Sequence, residues 1–570
     1  MSAATTPRGP APGPGGPTPG VPEPRVSAPG VPGLAKAQAM LARARWAAQA
    51  YARYDRQMVD RIVESVTQVA EAHAGEYAEW AVRETGFGVV EHKRRKNIAC
   101  SRGIRDAYRE HDYATPRLDP AAKTVAVPRP AGVVLALTPS TNPVCTVYFN
   151  VLLALLTRNA VLVSPHPAAK AVCAAAARAL ADAATAAGAP DGVIQVVEEP
   201  TVPLVEALMA DERTDLVVAT GGTAMVRAAY RSGTPALGVG PANVPVLVDA
   251  TADLAEAANR IVESKSFDNS VLCTNESVLI AEEAVADPLL AALRRAGARL
   301  LDDDECRRLR GALFPGGRFD TRFVGRPATE IAAEIGVRVD PGTRVLLAPF
   351  ELAMPEEPLA REKLCPVLGF VRVPSAERGI AVATGLLRIS GAGHSAAIHS
   401  ADPATILAYS AALPVLRISV NVGNSLGSSG FQTHLPPSMT IGTGYPGRSS
   451  AGGNLTPDDL VNWTRIAYNA DAAVPFGDFT GLSPWPAPAE LPVPRYPHAS
   501  NAGPEHTEPE HTGPTQNGPT RTGPVAGRGA GGAGDGWPDG FGGAPGEDPQ
   551  EFRERLRRLI VQELTEIIRG

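Results

Sequence analysis

From Leu34 onward the chain settles into a regular alternation of apolar and polar positions. The stretch Ala35–Arg83 is rich in alanine, free of proline and apolar at helical spacing, which predicts two or more helices. Past Tyr113 the texture changes. Thr124–Pro128 reads as a short edge strand ended by proline. A strand–helix rhythm follows: strand at Gly132–Leu137, helix at Val144–Leu156, strand at Ala160–Ser164, helix at Ala168–Ala187, strand at Val193–Val197, helix at Leu204–Met209 and strand at Leu216–Ala219. Apolar β-branched runs alternating with helices of this length predict an α/β fold, a parallel sheet covered on both faces. A second α/β stretch runs from about 244 to 420, and the segment 421 to 484 is loop-rich.

Composition sets the ends of the folded part. Glycine (56) and proline (54) crowd into residues 1–33 and into 484–547, where EHTEPEHTGPTQNGPTRTGP is typical. Such segments bury too little apolar surface to offset ordering, so a disordered N-terminus and a C-terminal linker are expected. Helical pattern returns at 548–570. Asp548, Pro549 and Glu551 form an N-terminal capping signature, and Phe552, Leu556, Leu559, Ile560, Leu564, Ile567 and Ile568 share one face. An amphipathic helix on a long tether predicts a docking peptide; the competing expectation is a helix folded back on its own core.

Charge and cysteine usage narrow the class. The net charge is only −6 and both signs are mixed, which gives no basic footprint for nucleic acid. There is no secretory leader pattern and no apolar run of membrane-spanning length, so a cytoplasmic protein is expected. Cys100, Cys145, Cys173, Cys273, Cys306 and Cys365 form no CxxC pair and have no histidine at ligand spacing, so neither a metal site nor a disulfide framework is indicated. Each is by default a small buried apolar residue.

Three segments stand out as candidate chemistry. LTPSTNP, Leu137–Pro143, follows a predicted strand, where ligands bind at the carboxyl end of a parallel sheet, and Asn142 there offers an amide donor or a plain turn residue. DLVVATGGTAMV, Asp215–Val226, runs a strand through Thr220-Gly221-Gly222-Thr223 into a helix, either a phosphate cradle or a tight turn. SFDNSVLCTNES, Ser266–Ser277, sets Cys273 among small and polar residues, though spacing alone does not make it reactive.

With EKLCPVLGF (Glu362–Phe370), GAGHSAAIHS (Gly391–Ser400) and the long run Leu137–Lys170, these segments resemble the aldehyde dehydrogenase superfamily, in particular its CoA-acylating branch, over about 34–480. The resemblance implies a Rossmann-like cofactor domain at 34–240 and a catalytic α/β domain at 241–430. Residues 431–483 would return to the cofactor domain, and a small β-extension at 113–131 and about 455–482 would make a homodimer or homotetramer. It implies that Cys273 is the nucleophile and Asn142 the oxyanion-hole amide. Thr138, Ser164, Pro165, Gly221, Gly222, Thr223, Gly238 and Glu362 would bind NAD, with Glu362 on the nicotinamide ribose. His394 matches a histidine typical of the acylating branch, with a role in the site or in packing. Hydrolytic members carry a glutamate where Ala236 begins ALGVGPAN, Ala236–Asn243, a stretch without an acidic residue. Lacking that base, water is a poor nucleophile towards a thioacyl enzyme, whereas a thiol is a good one, so coenzyme A is the expected acyl acceptor.

The implied substrate is a short aldehyde of the acetaldehyde, propionaldehyde or sulfoacetaldehyde class. Arg448 or Arg465 could pair with an anionic substituent or serve a subunit interface. The tail, 549–569, is similar in design to peptides that dock enzymes on bacterial microcompartment shell proteins, which implies a microcompartment lumen. Three rivals remain open here: a hydrolytic dehydrogenase, a non-catalytic shell-binding scaffold, and a reductase of acyl phosphates.

Overall fold

The computed structural model describes residues 32–486, Val493 and 495–497. The expectations placed on 1–31 and on the tail helix at 548–570 lie outside the described residues. The chain begins with helices Leu34–Tyr51, Arg56–Ala72 and Ala74–Thr85. Asp55 caps the second by accepting the Met58 N–H at 2.8 Å. That helix buries Val59, Ile62, Val63, Val66 and Ala70, one stripe at helical spacing. Helix Val90–Ile98 follows, then a short π-turn, Ala99–Gly103, and Ile104–Tyr108.

Two short strands come next, β1 (Arg117–Asp119) and β2 (Thr124–Pro130). The five strands β3 (Val133–Thr138), β4 (Ala160–Pro165), β5 (Ile194–Val196), β6 (Leu216–Ala219) and β7 (Ala236–Gly238) make one parallel sheet in the order β5-β4-β3-β6-β7. This is the doubly wound order of a dinucleotide fold, and its switch point lies between β3 and β6. Helix Pro143–Leu156 follows β3 and is buried on every side, which makes it a rigid mount for the residues at its start.

The second sheet has seven parallel strands: β8 (Val244–Val248), β9 (Glu276–Glu282), β10 (Ala298–Leu300), β11 (Val345–Pro349), β12 (Val367–Val373), β13 (Ala396–His399) and β14 (Ile418–Val420). Their order is β10-β11-β12-β9-β8-β13-β14. A last strand, β15 (Val461–Ala467), returns to pair antiparallel with β2 along its whole length.

That pairing corrects one expectation. Thr124–Pro128 is not an edge strand ended by proline. It continues to Pro130 and is the middle of the three-stranded sheet β1-β2-β15. The prolines are tolerated because β1 covers only Thr124–Ala126, so Pro128 and Pro130 fall where β2 has an open side. The partner that makes β2 central lies more than three hundred positions away, and no local pattern announces it. Residues 421–484 are mostly loop, apart from β15, a one-turn helix at Asn424–Gly427 and short 3-10 turns.

Candidate active site

The carboxyl ends of β3, β4 and β6 face the amino ends of β9 and β12, and a cavity of about 410 Å³ lies between them. From the five-stranded sheet come Thr138, Asn142, Ser164, Pro165, Gly221, Gly222 and Thr223; from the seven-stranded sheet come Cys273 and Glu362. Nine sequence-predicted residues thus share one cavity. The loop-rich segment closes it with Ser429, Ser438, Met439 and Ile441, which sequence reasoning had not singled out. A bond between the Thr220 and Thr440 hydroxyls, 2.8 Å, ties that segment to the end of β6.

Cys273 stands apart from the other cysteines. Five are buried, and Cys273 alone is part-exposed. Its neighbours Val271, Leu272, Thr274 and Asn275 are each at most 4% exposed, so a rigid loop presents one side chain to the cavity. The loop is clamped from below. The Leu272 N–H donates to Asn275 Oδ1 at 2.9 Å, the Thr274 hydroxyl to the Ser425 carbonyl at 2.8 Å, and Asn424 Nδ2 to the Thr274 carbonyl at 2.8 Å. Burial pushes the thiol up to about 12, and the Glu362 charge adds to this; Arg417, the backbone N–H of Cys273 and Lys96 pull the other way. The resting group is a thiol.

Asn142 precedes helix Pro143–Leu156, but its side chain does not cap it. Its Oδ1 accepts from Lys96 Nζ, while Nδ2 lies 3.5 Å from the Val271 carbonyl, on the Cys273 side. Nδ2 also donates to the Thr141 hydroxyl at 3.2 Å. Glu362, half-buried in the loop before β12, is raised to about 7, mainly by burial, with Lys265 and Lys363 opposing. Of the described residues lining the cavity, it is the one carboxylate.

Gly221 and Gly222 lead into helix Thr223–Arg231, which has no side-chain cap on its first N–H groups. A Cβ on Gly222 would meet no protein atom within 4 Å, so the backbone there is open to a ligand. With the parallel sheet and its switch point, this fits a dinucleotide pyrophosphate.

Four predicted residues do not line the cavity. Gly238 ends β7 and packs against the helix behind it: a Cβ there would stand 2.6 Å from Val226 Cγ1. Arg448 is exposed on a turn with φ 58°. His394 is completely buried, its Nδ1 is 2.9 Å from the Ser395 hydroxyl, and burial, with Arg417 second, lowers its pKa to about 3. A hydrogen-bonded path links it to the nucleophile loop through Ser395 and Asn424. Arg465 lies exposed on β15, in the separate three-stranded sheet. The ALGVGPAN stretch meets the cavity at Val239–Ala242 rather than at Ala236, and these residues carry no acid. Among the described residues there is no cluster able to hold a metal ion, and no helix is long and apolar enough to cross a membrane.

Sequence reasoning missed Lys96, Arg417 and the role of Asp268. All three are buried polar residues whose partners lie far along the chain. Lys93-Arg94-Arg95-Lys96 reads locally as a solvated basic face.

The aldehyde dehydrogenase family matches residues 32–310. The chain is 35% identical over 439 residues to the succinate-semialdehyde dehydrogenase (acetylating) of Clostridium kluyveri, covering 76% of this chain and 96% of that protein. An acetylating aldehyde dehydrogenase structure from Geobacillus thermoglucosidasius superposes with a TM-score of 0.76 at 35% identity, covering 77% of this chain and 97% of that one. A Rhodopseudomonas palustris propionaldehyde dehydrogenase with bound propionyl-CoA gives 0.69 at 29% identity, covering 76% and 94%. The bifunctional aldehyde-alcohol dehydrogenase AdhE of Escherichia coli is 34% identical over 77% of this chain, which spans only 50% of its length. The chain belongs to the aldehyde dehydrogenase family, with acylating members among its relatives.

Proposed function

We propose that this protein oxidises a short aldehyde to its acyl-CoA, with Cys273 as nucleophile, NAD as hydride acceptor and coenzyme A as acyl acceptor. One observation carries this: the single part-exposed cysteine faces a cavity that holds Asn142 and, apart from Glu362, no carboxylate. Cys273 Sγ gives its proton up to solvent and bonds to the aldehyde carbon as the carbonyl π bond opens, giving the thiohemiacetal oxyanion. The Asn142 amide and the Cys273 backbone N–H are the donors for its oxyanion, each worth roughly 10²–10³ in rate where measured elsewhere. When bound, NAD accepts the hydride that leaves this carbon, and CoA supplies the thiol that releases the acyl group from Cys273. Glu362 is assigned to the nicotinamide ribose, so the described lining of the cavity keeps no further carboxylate to activate water. The acylating relatives and the relative with bound propionyl-CoA support the same acceptor.

Assembly as a dimer or tetramer through the sheet β1-β2-β15, and docking of 549–569 on a microcompartment shell protein, belong to the same proposal. The test is a panel of short aldehydes with NAD, each with and without CoA. NADH should appear with CoA present, and acyl-CoA should form in equal amount. Equally fast NADH and free acid without CoA would mean a hydrolytic enzyme. Unchanged turnover in Cys273→Ala would mean that another group is the nucleophile.

A further inference from the structure

Behind the Asn142 wall of the cavity lies an enclosed polar cluster that the chemistry above does not use. Lys93 and Lys96 stand three residues apart on helix Val90–Ile98, so their side chains share a face. They are 3% and 2% exposed, and Asp268 is 0% exposed. Asp268 opens the turn that leads to Cys273. It and the next two residues, Asn269 and Ser270, all have positive φ (51°, 50° and 64°). Three such residues in a row persist only where their surroundings over-determine them. Here Asp268 Oδ1 accepts the Val89 N–H at 2.7 Å, Oδ2 accepts Lys93 Nζ at 3.1 Å and Lys96 Nζ at 2.5 Å, and the Asp268 N–H donates to His92 Nδ1 at 2.8 Å.

The two lysines then reach the loop of the candidate oxyanion donor. Lys93 donates to the Thr141 carbonyl at 3.0 Å, and Lys96 to Asn142 Oδ1 at 2.5 Å. An amide has one accepting and one donating end, and an ammonium can satisfy only the first. With Oδ1 held by Lys96, Nδ2 is turned toward the Val271 carbonyl and the nucleophile loop. A flipped amide would present an oxygen to the developing oxyanion and repel it. The ammonium also polarises the amide, which strengthens its N–H as a donor. Packing alone does not call for such a cluster, since a well-packed apolar replacement of a buried ion pair is often neutral or stabilising.

We infer that Lys96, anchored by Asp268, is a positioning residue that fixes the Asn142 amide with its N–H toward the oxyanion formed on Cys273. The inference rests on the oxyanion role proposed above for Asn142. Lys93 acts in parallel on the Thr141 backbone and shares the Asp268 anchor. The nucleophile turn and the donor loop thereby take their relative placement from one carboxylate.

A double-mutant cycle on the full chain tests this, with wild type, Lys96→Met, Asn142→Ala and the double variant. Steady-state kcat is measured at saturating aldehyde, NAD and CoA, and NAD affinity by thermal shift. Each single substitution should lower kcat by roughly 10²-fold, the usual worth of one oxyanion donor, with NAD affinity unchanged. In the Asn142→Ala background, Lys96→Met should cost only a further factor of about two, because the group it orients is gone. An equal loss in both backgrounds, or an undiminished kcat in Lys96→Met, overturns the inference. Should Lys96→Met not fold, Lys96→Gln replaces it. Its amide N–H can still hold Asn142 Oδ1, so its kcat should fall between wild type and Asn142→Ala; a loss that persists in full in the Asn142→Ala background overturns the inference here too. A wild-type chain that forms no acyl-CoA fails the proposed function instead, so the two failures are distinguishable.

Discussion

Burial and the nearby Glu362 carboxylate push the Cys273 thiol up to about 12, so near neutral pH only a small fraction is thiolate. Alkylation of the ligand-free enzyme by iodoacetamide should therefore accelerate about tenfold per pH unit from about pH 7 to 10, with no plateau in that range. The measurement is the second-order rate by peptide mass spectrometry at Cys273, and a plateau near pH 8 would show a thiol that the site does not hold up. Burial likewise holds the Glu362 carboxyl above its ordinary range. Its pKa is raised to about 7, so it becomes neutral as pH falls through that value. A neutral carboxyl loses the charge that strengthens its bonds to ribose hydroxyls, so NAD affinity should weaken roughly tenfold between about pH 8 and 6. Glu362→Gln should bind weakly at both pH values with a flat profile, and titration by thermal shift reads the difference.

Among the elements, the start of helix Val90–Ile98 bears most on the site, because it delivers Val89, His92, Lys93 and Lys96 to Asp268. Gly88 makes the approach possible: its φ is +80°, and a Cβ there would lie 2.1 Å from Asp268 Oδ1. Gly88→Ala should cost about 2–3 kcal/mol of stability and lower kcat, as the helix start withdraws from the turn before Cys273. Gly233 is the control. Its φ is +89° but nothing lies within 4 Å of its Cβ position, so Gly233→Ala should cost only about 1 kcal/mol and leave kcat unchanged. Urea melts and steady-state rates separate the two. The same elements show what a sequence discloses. β6 is found at Leu216–Ala219, as its apolar run predicts, because a strand buried on both faces writes its length in consecutive residues. Cys273, Asn142 and Glu362 were legible through the resemblance that their segments carry, and the fold brings them to one cavity. Lys96 and Asp268 were not, since their pairing joins positions 172 residues apart and neither segment alone distinguishes a buried ion from a solvated one. The central place of β2 was hidden from local pattern for the same reason, although the resemblance had put 113–131 and about 455–482 into one β-extension.

At the scale of the whole molecule, the described walls of the cavity come from residues 137 to 441, and the motifs that carry the proposed chemistry all precede the Pro/Gly-rich stretch in sequence. Catalysis and the tail are therefore expected to be separable. A tethered amphipathic segment that docked elsewhere would raise the local concentration of the enzyme at its target without altering its chemistry, as expected of a peptide joined by a long Pro/Gly-rich sequence. Deleting 549–570 should leave kcat and KM within about twofold while abolishing retention on purified microcompartment shells, and a graft of 549–570 onto an unrelated soluble protein should confer retention. Charge reversal on the polar face, as in Arg553→Glu with Arg557→Glu, should weaken retention less than Leu556→Asp with Ile560→Asp, because the apolar stripe supplies most of the buried area. Shell retention that survives the deletion would place the contact on the folded enzyme itself. A deletion that halted turnover would instead favour the alternative in which the helix folds back on its own core.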